Sequence, residues 1–377
     1  MIKTAILYNN ENNFYILDNE LNEIIKINNI GSNFIYNFKN TIFTSSLNNI
    51  LMPKTIFKLD VNNISSLSFN FPFFAGIIYQ DFYNFNLLKY YTPAINYDLI
   101  EEKYFLGVFQ TPSASIENLD LHINALEDKN FSSSTDYVGD IYRNSILFIS
   151  DSNGDLLWTW DLYYYIKEND LTLFNHPIIE TASRLGKNNL GLYENDIVIS
   201  ISKLNLVLII NPINNNIDLK IDSSLFNRTI TSFCDAHIIP FGLPGAGNLL
   251  FYNHNRNNEN LTEILEYDII NKRVVFEYSS EEFLNSNRSI VGSVQKLYNG
   301  NYFIYNYEKN ILFEIDSQGK LIFHYRVLDE TPILTFKEKR FSRSFYCSKA
   351  QQVPYEWVEE LIKNHNLINE KIANWSC

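Results

Sequence analysis

Cysteine is scarce in this 377-residue chain, which carries only Cys234, Cys347 and Cys377. Three thiols are an odd number at no metal-ligand spacing, which suits a reducing compartment. Nowhere do about 18 apolar residues follow one another, so no membrane-crossing helix is expected. A basic stripe is also missing, and the net charge of -13 is spread without a long acidic run. That balance favours solubility and argues against a nucleic-acid phosphate partner. The first residues, Met1-Ile2-Lys3-Thr4 followed by Ala5-Ile6-Leu7-Tyr8, hold no apolar stretch of signal-peptide length and no small-residue cleavage site. The expected location is therefore the cytoplasm.

What the chain does have is strand-forming material and a repeat. Hydrophobic residues make up 46% and aromatic residues 15%, with 25 Tyr and 28 Phe, types that fill a half-buried pleated surface. Six times an apolar strand runs into Asp or Asn, passes a short polar turn and re-emerges as a second apolar strand. The anchors are Asp18, Asp81, Asp151, Asn211, Asp268 and Asp316. Subtracting each position from the next gives intervals of 63, 70, 60, 57 and 48 residues, about the length of a four-stranded sheet with its loops. The expected fold is all-β: a six-bladed β-propeller forming one domain over residues 1–377.

Too few residues precede Asp18 for four complete strands, so a partner strand must come from elsewhere. The segment Arg343 to Val353 is the natural donor, because pairing the two ends of the chain in one blade removes exposed sheet edges. Residues 354–371 then read as a short C-terminal helix, with Trp357, Leu361 and Ile362 on one face and acidic residues in its first turn. Residues 30–65 and 112–136 are polar and read as long loops over one face of the ring, the second with a short helix over Ser115 to Leu126.

Of six histidines, two hold matching places relative to the anchors. His176 lies 35 residues before Asn211 and His237 lies 31 before Asp268. Each precedes an expected innermost strand, which would bring both imidazoles to one mouth of the central channel. Paired imidazoles suit nucleophilic or acid-base work. No third His, Cys or carboxylate recurs in this register, so no metal is expected. His122, His324 and His365 read as structural or solvated.

Six segments in order carry a resemblance. They are Gly154-Asp155-Leu156-Leu157-Trp158-Thr159-Trp160, Asn175-His176 with Asp196-Ile197-Val198-Ile199-Ser200, Asp235-Ala236-His237, Gly247-Asn248-Leu249-Leu250-Phe251-Tyr252-Asn253, Glu266-Tyr267-Asp268, and Gly292-Ser293-Val294-Gln295-Lys296-Leu297-Tyr298-Asn299-Gly300-Asn301. Over roughly residues 140–345 the chain resembles the arylsulfotransferase family. The resemblance implies a six-bladed propeller that moves a sulfuryl group from an aryl sulfate to a phenol through a sulfated histidine. It implies no nucleotide sulfate donor and no other cofactor. His237 and His176 match the family's active-site histidines, with His237 the expected nucleophile. Cations would hold the sulfate oxygens, and the candidates for substrate binding are Arg343, Lys203, Arg256 and the motif residue Asn253.

The chain departs from the family pattern where sulfate would be held. A family Ser-Arg falls at Thr262-Glu263, and another at Ser202-Lys203, which keeps the charge but loses the bidentate fork. Asp235, beside His237, could orient the imidazole or anchor its loop. Two readings follow. One is aryl-sulfate sulfotransfer; the other is a non-catalytic propeller that binds a small anionic or aromatic ligand or a protein partner, as a carboxylate at 263 favours.

Overall fold

The structure is a computed structural model that describes residues 4–28, 36–68, 98–111, 144–171, 179–254, 262–284, 292–326 and 350–375, apart from positions of one to three residues within these ranges. The described residues form six four-stranded antiparallel sheets. Sheet I runs Ala350–Pro354, Thr4–Asn10, Asn13–Leu17, Glu23–Asn28, and sheet II runs Tyr36–Phe38, Thr41–Thr44, Thr55–Leu59, Ile64–Ser68. Sheet III consists of Asp98–Ile100, Tyr104–Thr111, Asn144–Asp151 and Leu156–Asp161; sheet IV of Ile179–Arg184, Ile197–Ile201, Leu206–Ile210 and Ile217–Asp222. Sheet V consists of Cys234–Ile238, Leu249–His254, Thr262–Asp268 and Arg273–Ser279; sheet VI of Ser293–Lys296, Tyr302–Asn306, Ile311–Ile315 and Leu321–Arg326. The fold is an all-β propeller with a short C-terminal helix.

The repeat read from the sequence is the outer hairpin of each sheet, the turn between its third and fourth strands. Its chemistry is constant, because a side-chain oxygen of Asp or Asn accepts backbone N–H groups two to four residues on and so builds the turn itself. Asp151 Oδ1 accepts from Asn153 N at 2.8 Å and Asp155 N at 3.0 Å, and Asp316 Oδ1 from Gln318 N at 2.9 Å and Lys320 N at 2.8 Å. Asp18, Asn211 and Asp268 do the same. In sheet II the anchor is Asp60, which accepts from Asn62 N at 2.8 Å and Asn63 N at 2.6 Å, so the expectation of Asp81 is corrected. Asp81 itself lies outside the described residues. The expected loop over 30–65 is likewise corrected, since most of sheet II falls within it. Residues 112–136 lie outside the described residues.

The middle strands of sheets IV and VI are buried on both faces, so they read as continuous apolar runs whose alternate residues serve two different cores. Ile197, Ile199 and Ile201 pack toward sheet III with Leu106, Val108 and Leu147, while Val198 packs toward sheet V with Phe251 and Leu265. Cores of this kind join III to IV, IV to V, V to VI, VI to I and I to II. Among the described residues none joins II to III.

The strand donated by the C-terminal end is Ala350–Pro354. It pairs antiparallel with Thr4–Asn10, Ile6 opposite Gln352 and Tyr8 opposite Ala350, and stands innermost in sheet I. A 3-10 turn at Tyr355–Trp357 leads into helix α1, Glu359–Ala373, with Glu359 and Glu360 in its first turn. Leu361, Ile368 and Ile372 of α1 are buried against Ile25, Ile27, Phe57 and Leu59, so the helix covers the junction of sheets I and II. Deleting residues 350–377 removes the innermost strand of sheet I and this cover together. Circular dichroism and size-exclusion chromatography should then show loss of the cooperative melt and aggregation through the bared edge of Thr4–Asn10.

Candidate functional site

Of the residues selected from the sequence, the structure describes His237 and Asn253. His176, Lys203, Arg256 and Arg343 lie outside the described residues, as does His122. His237 sits on the innermost strand of sheet V, half-buried, at the end of a bulge that shifts the pairing between Cys234 and His237. The bulge is made by Asp235, a buried residue with φ of 50°. Asp tolerates this left-handed backbone better than most residues, and a bulge re-aims the side chain that follows. His237 Nδ1 lies 2.9 Å from the Asp235 carbonyl oxygen. A carbonyl only accepts, so this contact places the proton on Nδ1 and leaves the lone pair on Nε2.

The Asp235 carboxylate does something else. Its Oδ2 accepts the Val294 N–H at 2.8 Å, which ties the innermost strand of sheet V to that of sheet VI. This is one of a series. Ser145 Oγ accepts the Ile179 N–H at 3.0 Å between sheets III and IV, and Thr181 Oγ1 donates to Ala236 O at 3.1 Å between IV and V. Between VI and I, the Ala350 N–H donates to Ser293 Oγ at 3.0 Å, and Gln295 and Gln352 exchange two bonds of 2.9 and 3.1 Å. Asp235 is thus an anchor rather than an orienter of the imidazole.

Pairing fixes the level of His237 across sheets, whereas His176, expected to share its register, lies outside the described residues. His237 pairs with Leu250, which pairs with Glu266, two residues before Asp268. The same path in sheet IV runs from Ile209, two residues before Asn211, through Val198 to Ser183. Ser183 is therefore the counterpart of His237. Their distances to the anchors differ, 28 residues for Ser183 (211 − 183) and 31 for His237 (268 − 237), because the connections between strands are unequal.

Asn253 is wholly buried and fully engaged. Its Oδ1 accepts the Thr231 N–H at 3.0 Å, and its Nδ2 donates to Thr229 O at 3.0 Å and Glu263 Oε2 at 3.1 Å. It stands at the far end of its strand from Leu250, about 10 Å away at the usual strand rise. The structure does not bring Asn253 and His237 together. Glu263, where the family pattern expects Arg, faces Arg228 Nη1 at 3.6 Å, and Arg228 also pairs with Glu277.

One signal in the sequence would have shown this. Gly-Asn, three apolar residues and Tyr-Asn occur twice, at Gly247–Asn253 and Gly300–Asn306. In both copies the first Asn reaches a buried Glu two residues before the anchor: Asn248 Nδ2 to Glu266 Oε1 at 2.6 Å, and Asn301 Nδ2 to Glu314 Oε1 at 2.6 Å. In both, the second Asn holds the segment that enters the sheet, Asn306 Nδ2 donating to Phe283 O at 2.8 Å. Gly292 and Lys296 of the last motif are also structural. A Cβ on Gly292 would stand 1.5 Å from the Tyr305 carbonyl oxygen, so only glycine fits. Lys296 is buried, 3.1 Å from Glu266 and with its ammonium 3.7 Å from the centre of the Tyr302 ring, and Tyr302 donates to the same carboxylate at 2.6 Å. Burial pushes the Lys296 ammonium below its ordinary pKa, and Glu266 opposes that shift.

Sheet IV breaks the pattern. Asp196 takes the place of Asn248, and Ile209 that of Glu266. Asp196 is wholly buried, its Oδ2 accepts the Tyr193 N–H at 3.1 Å and its Oδ1 has no hydrogen bond. Burial first, then the neighbouring Asp218 carboxylate, raise its pKa from 3.8 to about 6. Of the remaining histidines, His324 is exposed on an outermost strand, His365 Nδ1 meets Ile362 O within α1, and His254 ends the second strand of sheet V. Among the described residues no group of three or more His, Cys, Asp or Glu could hold a metal ion, and no helix is long and apolar enough to cross a membrane.

No family model matches the chain, and no curated protein matches it in sequence. Solved structures do align with it. A protein of unknown function from Bacteroides caccae is 11% identical, with 93% of this chain and 99% of that one covered and a TM-score of 0.50. The Swd1 β-propeller domain of Myceliophteria thermophila is 9% identical over 87% of this chain and 88% of that one, with a TM-score of 0.44. A streptogramin B lyase is 9% identical over 86% and 80%, with a TM-score of 0.45. At these identities the likeness is one of fold alone. Fold and site together define an all-β propeller that presents one half-buried histidine on an innermost strand.

Asp196 yields a pH test. An acid whose folded pKa is raised favours the fold below its unfolded pKa and loses that contribution as pH rises through the folded one. The Asp196 contribution is thus full below 3.8 and gone above about 6. Asp196→Asn, which copies the residue found in sheets V and VI and keeps the acceptor for Tyr193, should raise Tm at pH 7 and flatten its fall between those two values in calorimetry.

Proposed function

We propose that this chain is a non-catalytic six-bladed propeller, its ring completed between sheets II and III, that binds a small aromatic ligand beside His237. The observation that carries this reading is the Asp235 bulge, which places a half-exposed imidazole on the innermost strand with its Nδ1 already held by the Asp235 carbonyl. An aromatic ligand is favoured over an anionic one on charge. The net charge of -13 disfavours an anion. Asn248, Asn253, Glu266, Gly292, Lys296 and Asn301, which helped suggest the arylsulfotransferase family, serve blade construction in this chain and lend the transfer reaction little support.

A second reading, sulfuryl transfer between phenolic compounds through His237, is favoured by one specific feature. An Nδ1 proton held by a carbonyl leaves Nε2 as the nucleophilic nitrogen such a transfer needs. The two readings separate in one experiment. Incubating the protein with a chromogenic aryl sulfate and excess phenol should give no transfer and no sulfated His237 by mass spectrometry. Titrating phenol alone should shift the His237 imidazole resonances, and His237→Ala should weaken that binding about tenfold, or ~1.4 kcal/mol. Turnover that disappears in His237→Ala would establish the second reading instead.

A further inference from the structure

In sheets IV to VI the turn joining the first and second strands and the turn joining the third and fourth lie at the same end, since consecutive strands are antiparallel. The bonds between neighbouring innermost strands join residues at equivalent levels, Thr181 to Ala236, Asp235 to Val294 and Gln295 to Gln352, so these ends share one face of the propeller. On that face the inner turns of sheets IV, V and VI pack on one another. The Lys187 ammonium lies 4.5 Å from the centre of the Phe241 ring, and a Cβ on Gly247, at φ of 89°, would stand 1.9 Å from Asn189 Oδ1. Pro244 lies 3.8 Å from the Cβ position of Gly300.

Each of these three packed turns holds an aromatic ring out of the core. Tyr193 is 44% exposed, Phe241 58% and Tyr298 79%. The outer turns of sheets IV and V add Ile213 and Ile270, 75% and 58% exposed, and Leu157 is exposed just past the outer turn of sheet III. That turn is bound to sheet IV by Trp158 Nε1 donating to Asn215 Oδ1 at 2.7 Å, so the apolar arc and sheet III form one surface. Large apolar side chains grouped on one face mark a contact site, and aromatic rings dominate such sites.

Charge on the same face selects the partner. The outer turns of sheets I to III, residues 18–22, 60–63 and 151–155, carry Asp18, Glu20, Asp60, Asp151 and Asp155 and no Lys or Arg. Hydrogen bonds from the Asn153 backbone and its neighbours hold the Asp151 carboxyl below its ordinary pKa, so this charge persists. In sheets V and VI each anchor shares its turn with a lysine, Asp268 with Lys272 and Asp316 with Lys320. The face therefore grades from acidic turns into a nearly neutral aromatic arc. Phosphate backbones, anionic lipid and a second copy of a chain with net charge -13 are all repelled by the acidic part.

We propose that this turn face is a docking surface for a protein segment in which Lys or Arg side chains stand beside aromatic or aliphatic ones. The apolar side chains cover Tyr193, Phe241, Tyr298 and Ile213, and the cations meet Asp151, Asp155 and their neighbours. The inference is independent of any ligand at His237.

The test is selection from a displayed library of random 16-residue peptides on the whole protein. Enriched peptides should combine Lys or Arg with aromatic or aliphatic residues, and synthetic copies should bind less tightly as salt rises. The triple substitution Tyr193→Ser, Phe241→Ser, Tyr298→Ser changes exposed side chains only, and should cut affinity at least tenfold with an unchanged circular dichroism melt. Asp151→Asn with Asp155→Asn keeps an acceptor for the turn, as Asn211 does in sheet IV, and should flatten the salt dependence. His237→Ala should leave peptide binding intact. Failure to enrich any peptide, enrichment of acidic peptides, or binding unaffected by the triple substitution would overturn the proposal. So would sedimentation showing that copies of the protein pair through this face.

Discussion

The innermost strands of this propeller are held to one another by hydrogen bonds from side chains to the neighbouring sheet. Apolar cores between the sheets supply most of the stabilisation, but they are non-directional and would tolerate one sheet sliding on the next. Thr181, Asp235, Ser293 and the Gln295–Gln352 pair remove that freedom, because each meets the backbone of one residue at one level. A buried N–H left without its acceptor costs about 1–3 kcal/mol, so the alignment is enforced more strongly than the net worth of each bond suggests. Everything said of the site depends on that alignment, including the shared turn face and the position of His237.

Much of the architecture was legible in the sequence because Asp and Asn turns are local. A carboxylate or amide that builds its own turn needs no tertiary partner, so Asp18, Asp151, Asn211, Asp268 and Asp316 could be found by pattern alone. Sheet II was missed for the complementary reason. Its anchor, Asp60, follows short strands in a polar stretch, and Asp81 offered a spacing closer to the others. The donated strand was found at the C-terminal end of the expected segment, with Ala350–Val353 pairing inside it, because a first sheet lacking one strand can be completed from the other end of the chain.

The site was less legible. Motif residues that point toward chemistry when read one at a time become blade construction when read as a repeat. Asn248 and Asn301 hold Glu266 and Glu314, while Asn253 and Asn306 hold incoming segments. No single copy reveals this, whereas two copies do. The level of His237 is set by strand pairing across unequal loops, which no count along the chain can detect. Asp235 shows the same lesson: adjacent to a histidine in sequence, it spends its carboxylate on the next sheet and gives the imidazole only its backbone carbonyl.

Asp235 is accordingly the residue on which the account can be tested most directly. Amide hydrogen exchange of Val294 in the native protein reports its bond to Asp235 and little else. Asp235→Ala should speed that exchange by about 5- to 150-fold, the equivalent of ~1–3 kcal/mol, while Asp235→Asn, which keeps an acceptor and accepts the left-handed backbone, should leave it largely protected. Protection of Val294 that is unchanged in Asp235→Ala would contradict the claim that side-chain bonds between innermost strands align these sheets.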